Sequence, residues 1–118
     1  MQAKDIIALA RNIKKSWQTN DPYEIAERFG IVILEREPEI KDFKAHTMKF
    51  PGYPTVITIN SNYSLYARKV LCAHELGHAL LHNECVNHFA VTSENAATNV
   101  ELEANLFAVA LLDRKSVV

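Results

Sequence analysis

Ala73-His74-Glu75-Leu76-Gly77-His78-Ala79-Leu80-Leu81-His82 is the stretch on which the reading of this chain turns. At about 100° per residue, His74 and His78 return to nearly the same side of a helix, about one turn (roughly 6 Å) along it. Two imidazoles so placed can grip one metal ion. Glu75 points about 100° away from His74, toward the side where a metal-bound water would sit, and can take that water's proton. The H-E-x-x-H spacing therefore points to zinc-assisted hydrolysis. The same letters can also arise on an amphipathic helix whose histidines merely bond carbonyls, so the neighbours have to decide. They are Ala67, Val70, Leu71, Ala73, Leu76, Ala79, Leu80 and Leu81, an apolar run that reads as a largely buried helix. Buried histidines and a buried carboxylate are costly unless something pairs with them, and zinc would do so. Gly77 adds to this, because a glycine inside a helix costs about 1 kcal/mol against alanine and usually marks close approach by another backbone.

A hydrolytic zinc site usually has three protein ligands and one open position. His82 faces the same way as His74 and His78 but lies about 12 Å along the axis from His74, too far for one ion on a straight helix. Residues 79 to 81 are Ala-Leu-Leu and contain no glycine turn that would bring it back. His82 therefore reads as a partner behind the ligands, or as a histidine favoured by the helix C-terminal dipole. The third ligand is sought in Glu101-Leu102-Glu103-Ala104-Asn105-Leu106-Phe107-Ala108, a second helix with Val100, Ala104, Phe107 and Leu111 as its core face. A small-residue stripe of Ala97, Ala104 and Ala108 runs beside that face, and Glu101 sits among them. Small residues let two helices approach closely enough for a carboxylate on one to reach a metal held by the other. Asn105, one turn beyond Glu101, is placed to hydrogen-bond a ligand histidine. Two alternatives stand beside this. Thr98-Asn99-Val100-Glu101 fits a capping box in which Glu101 only reaches back to the Thr98 N–H. Glu103 is the rival ligand, but it projects about 200° from Glu101, so both cannot face one ion; the alanine stripe and the Asn105 spacing favour Glu101.

The chain has 118 residues, which predicts a single domain over 1–118 with no length left for a second folded unit. Its 13 Lys and Arg against 14 Asp and Glu give a net charge of −1, which argues against direct nucleic-acid binding. The first 17 residues carry Ile6, Ala10, Ile13 and Trp17 between charged positions and read as an amphipathic helix, not an export signal. No run approaches membrane-spanning length. Two cysteines, Cys72 and Cys85, make no disulfide framework and suit a reducing cytoplasm; Cys72, about 200° round the helix from His74, reads as a core residue.

Elsewhere the pattern predicts an α+β unit. Asp21-Pro22-Tyr23-Glu24 starts a capped helix that Gly30 ends. Ile31 to Leu34, Phe43 to Phe50 and Thr55 to Ile59 read as about three strands of a small, mostly antiparallel sheet. Asn60-Ser61-Asn62 breaks the last strand and offers caps for the H-E-x-x-H helix, and residues 83 to 93 read as a polar loop.

Taken together, the Pro22-Tyr23-Glu24-Ile25-Ala26-Glu27-Arg28-Phe29-Gly30-Ile31 helix, Ile57-Thr58-Ile59-Asn60, the H-E-L-G-H block and the E-x-E-A-N-x-F-A block occur in an order that resembles the ImmA/IrrE family of zinc metallopeptidases. The resemblance covers about Asp21 to Leu112. It implies a minimal zincin-like core with His74 and His78 as zinc ligands, Glu75 as general base and a glutamate of the last helix as third ligand. It also implies a phage, mobile-element or stress-response setting in which a helix-turn-helix repressor is cut and genes are derepressed. The expected reaction is peptide hydrolysis in which Glu75 takes a proton from zinc-bound water and passes it to the leaving amine. Thr55 to Ile59, if it lies at a sheet edge, could pair with an extended substrate. Tyr53, Tyr63, Tyr66, His46 and His88 are candidates to steady the oxyanion. The reading from another class is a zinc-stabilised module that sequesters a repressor or partner protein without cutting it.

Overall fold

The structure is a computed structural model that describes residues 2–37, 43–82 and 94–113, with the helical backbone but not the side chains of 94–98. Helix α1 (Ala3–Trp17) buries Ile6, Ala10 and Ile13 at the spacing the sequence predicts. Helix α2 (Pro22–Arg28) starts with the Asp21 carboxylate accepting from the Tyr23 N–H at 3.0 Å and with Pro22 in the first turn. It ends where Gly30 takes φ +77°, a conformation that glycine adopts without steric cost.

Three strands follow, β1 (Val32–Arg36), β2 (Ala45–Met48) and β3 (Val56–Asn60). Their spatial order is β1-β3-β2, with β3 parallel to β1 and antiparallel to β2. The fold class is α+β as expected, but the sheet is mixed where the sequence suggested mostly antiparallel pairing. Consecutive strands usually lie side by side; here β3 enters between β1 and β2, so one of its two ladders is parallel. This also corrects the idea of Thr55 to Ile59 as a substrate-binding edge. Both sides of β3 are taken, and among the described residues the sheet edges belong to β1 and β2.

Helix α3 (Leu65–Leu81) carries H-E-x-x-H. Its cap is Ser64, which accepts from the Ala67 N–H at 3.1 Å. The Asn60-Ser61-Asn62 segment does something else: the Asn60 side chain accepts from the Asn62 N–H at 2.8 Å and donates to the Phe43 carbonyl at 2.8 Å, closing the turn after β3. The first turns of α3 are less buried than their composition suggests, with Leu65, Tyr66 and Val70 exposed; burial begins at Cys72. From there the sheet and the last helix cover it. An Arg68 guanidinium at 2.7 Å from Glu35, which also accepts from the Tyr23 hydroxyl at 2.7 Å, ties the start of α3 to β1 and α2. Burial, followed by the Glu35 contact, pushes the Tyr23 phenol well above its usual range.

Helix α4 (Glu94–Leu112) packs on α3 and α1, with Ala104, Phe107, Ala108 and Leu111 buried. Its C-terminal end is held by buried Lys14 of α1, which donates to the carbonyls of Ala110 at 2.5 Å and Asp113 at 3.1 Å. Desolvation pushes that ammonium's pKa down. The expected loop at 83–93 lies outside the described residues.

Gly77 is where α3 and α4 touch. A Cβ there would sit 3.1 Å from the Ala104 Cα and carbonyl oxygen and 3.2 Å from the Phe107 Cβ. Backbone atoms can yield only if the whole of α4 shifts. Gly77→Ala should gain about 1 kcal/mol of helix propensity and lose about 1–3 kcal/mol to overpacking. Its thermal stability without metal should fall only slightly, while zinc affinity falls clearly, because α4 also carries Glu101. Unfolding curves beside zinc titrations check this; equal affinity to the parent would show that helix spacing does not set the site.

Candidate metal centre

His74 and His78, one turn apart on α3, bring their Nε2 atoms to 3.1 Å from each other. Glu101 of α4 reaches the same point from the other side, with one carboxylate oxygen 2.8 Å from His74 Nε2 and the other 3.1 Å from His78 Nε2. Among the described residues these three form a cluster whose donor atoms lie within 4.8 Å of one another. Two nitrogens at roughly 2.0–2.1 Å from a tetrahedral zinc stand about 3.3 Å apart. The spacing seen here fits one ion of that size, and a two-nitrogen, one-carboxylate set suits zinc. Thr98 lies inside α4, four residues after its start, so the capping box does not describe Glu101.

Glu75 is buried beside this cluster, with Oε2 3.9 Å from His74 Nε2. Its other oxygen, Oε1, accepts from the Thr47 hydroxyl of β2 at 2.8 Å, and the Glu75 carbonyl lies 3.1 Å from the same hydroxyl. Thr47 is 3% exposed, so this bond is made away from water. The sequence reading missed Thr47. A threonine in a strand is unremarkable by itself, and only the packing of β2 on α3 shows what it touches.

Residues 26–112 match the model of the Peptidase_M78 family, the IrrE N-terminal-like domain. The chain belongs to this family. It is also 36% identical to a protein of Bacillus phage phi105 described as "Uncharacterized immunity region protein 2", over 91% of this chain and 67% of the phage protein.

Around the IrrE-like cluster the remaining candidates separate. Asn105 lies on the exposed side of α4 and does not take the supporting place expected of it. Glu101 already stands at the rim of the helix interface with its side chain 43% exposed, and Asn105 is turned about 40° further toward solvent. The ring behind His78 is His82, its Nδ1 3.1 Å from His78 Nδ1, while its Nε2 lies 3.0 Å from Glu103. The two glutamates of E-x-E thus meet different histidines. Lys49, just after β2, donates to the Ala79 carbonyl at 2.7 Å and to the His82 carbonyl, which holds the end of α3 in place.

Among the oxyanion candidates, Tyr53 and Tyr66 are exposed, Tyr63 is half-buried in the turn before α3, and His88 lies outside the described residues. His46 neighbours Thr47 on β2, and strand alternation turns its ring to the opposite face, where it meets Phe43 edge-on at 5.0 Å. Cys72 is fully buried in the core, and desolvation pushes its thiol up to about 12, so it offers almost no thiolate at neutral pH. Cys85 lies outside the described residues. No described helix is long and apolar enough to cross a membrane.

Proposed function

We propose that this chain is a zinc-dependent endopeptidase that cuts a helix-turn-helix repressor and so derepresses phage, mobile-element or stress genes. The observation that carries the peptidase reading is the convergence of His74, His78 and Glu101 beside a buried carboxylate, Glu75, whose Oε2 faces the cluster. Membership of a peptidase family and likeness to a phage immunity-region protein support the substrate class.

His74, His78 and Glu101 would hold the zinc. Zinc bound there supplies a Lewis acid that polarises a carbonyl and makes water acidic enough to lose a proton near neutral pH. Thr47 keeps Glu75 Oε1 engaged and so aims Oε2 at the cluster. Oε2 is the atom that takes the proton from the attacking water and returns it to the leaving amine. Strand β2, which carries Thr47 and is an edge strand among the described residues, would pair with an extended segment of substrate.

The test is co-expression of this chain with a helix-turn-helix repressor from its own genetic neighbourhood, followed by mass spectrometry of the repressor. One discrete cut that requires Glu75 supports the proposal. An intact repressor in a stable complex, formed equally well by Glu75→Gln, would establish a sequestering module instead. Thr47→Val refines the test. Losing a hydrogen bond to a charged group should slow turnover by about tenfold or more while zinc content stays the same. Unchanged turnover would remove Thr47 from the site.

A further inference from the structure

Two groups stand in line behind the cluster, His82 and Glu103. From Glu103 the contacts run through His82 without a break to His78. A carboxylate can only accept a hydrogen bond, so the 3.0 Å contact of Glu103 Oε1 with His82 Nε2 places a proton on that nitrogen. In a neutral imidazole the other nitrogen is then an acceptor. His82 Nδ1 therefore faces His78 Nδ1, 3.1 Å away, as an acceptor and requires a proton there. His78 Nε2 lies 3.1 Å from a Glu101 oxygen and 3.1 Å from His74 Nε2. A cation held among these donors would take the place of a proton on Nε2, so with its proton on Nδ1 His78 would offer that nitrogen's lone pair to the metal.

We propose that Glu103, acting through His82, locks His78 in the tautomer that presents Nε2 to the metal. Both are positioning residues. The inference rests on the reading of His74, His78 and Glu101 as a metal site. It gives Glu103 a task that a ligand contest with Glu101 leaves out.

The local backbone supports such a relay. His82 is the first residue beyond α3, with extended φ −118° and ψ 118°, while its N–H still bonds the His78 carbonyl at 3.1 Å. Lys49 holds its carbonyl from the other side. The ring is thus fixed between two helices, with its side chain 12% exposed, and Glu103 reaches it from α4. A histidine free to turn over would offer either nitrogen; this one is offered a single acceptor at one end and a single ligand histidine at the other. Supporting partners of this kind typically change metal affinity by about 10- to 100-fold when removed.

The experiment combines long-range proton–nitrogen NMR of zinc-loaded full chain with competitive zinc titration of variants. In the parent protein His78 should carry its proton on Nδ1 and His82 on Nε2. Glu103→Leu and His82→Leu should each weaken zinc binding by about 10- to 100-fold, with the metal-free proteins still giving the parent's helical circular dichroism. Glu103→Gln should keep most of the affinity, because an amide oxygen still accepts from His82. Adding Glu103→Leu to His82→Leu should cost nothing further, since Glu103 acts through the ring. Parent-like affinity in Glu103→Leu, an additive loss in the double variant, or a His82 proton on Nδ1 in the parent would each overturn the relay with the metal site intact. A parent chain that takes up no zinc would overturn the metal site itself, and the relay with it.

Discussion

Glu75→Gln is expected to abolish cleavage while leaving about one zinc per chain. An amide has the size and the hydrogen-bonding reach of the carboxylate, so Thr47 can still bond the side-chain oxygen and the packing of α3 on β2 is kept. What is lost is the ability to accept a proton at Oε2, 3.9 Å from His74 Nε2. General-base catalysis is worth about 10²–10⁴-fold, and the loss should lie in that range, because the other carboxylate at the cluster, Glu101, would be engaged as a metal ligand. Repressor cleavage followed by mass spectrometry, alongside elemental analysis of the same sample, checks both halves. A variant that still cuts would place the base elsewhere; a variant that loses its zinc would make Glu75 part of the metal's support.

The second large effect concerns the metal itself. Replacing His74 and His78 together by alanine should remove stoichiometric zinc, because both nitrogens of the site go and only the half-buried Glu101 carboxylate remains. Glu101→Gln should weaken zinc substantially and Glu103→Gln only slightly, as their contacts with different histidines imply. The loss has a thermodynamic counterpart. A ligand present at about 1,000 times its dissociation constant stabilises the folded state by about 4 kcal/mol. Added zinc should therefore raise the melting temperature of the parent and leave that of the double variant where it was. Zinc that persists at one per chain after both histidines are gone would place the metal outside this cluster.

Periodicity and spacing alone carried the sequence a long way. The one-turn separation of His74 and His78, the glutamate between them, the capped α2 with its terminal glycine and the buried stripe of α1 are all local, and local patterns are written in consecutive residues. Gly77 also announced a close neighbour without naming it. What the sequence left open depended on elements distant along the chain. The choice between Glu101 and Glu103 turns on how far α4 is rotated against α3, and Ala104 seated on Gly77 sets that rotation. The partner behind His78 turned out to be His82, because α3 ends at Leu81 and the next residue leaves the helix in an extended conformation, whereas Asn105 is exposed.

Strand order was equally out of reach. Composition marks three strands, but the entry of β3 between β1 and β2 is decided by which arrangement packs Ile57 and Ile59 under α3, a non-local contact that no short window contains. That order makes β2 an edge strand and brings Thr47 to Glu75 from 28 residues away. The sequence by itself determined the donor chemistry, since residue type and helical spacing are properties of one segment. Only the tertiary structure decided which carboxylate closes the cluster, which hydroxyl meets Glu75 and which ring stands behind His78, because each requires two segments to meet at a fixed distance and angle.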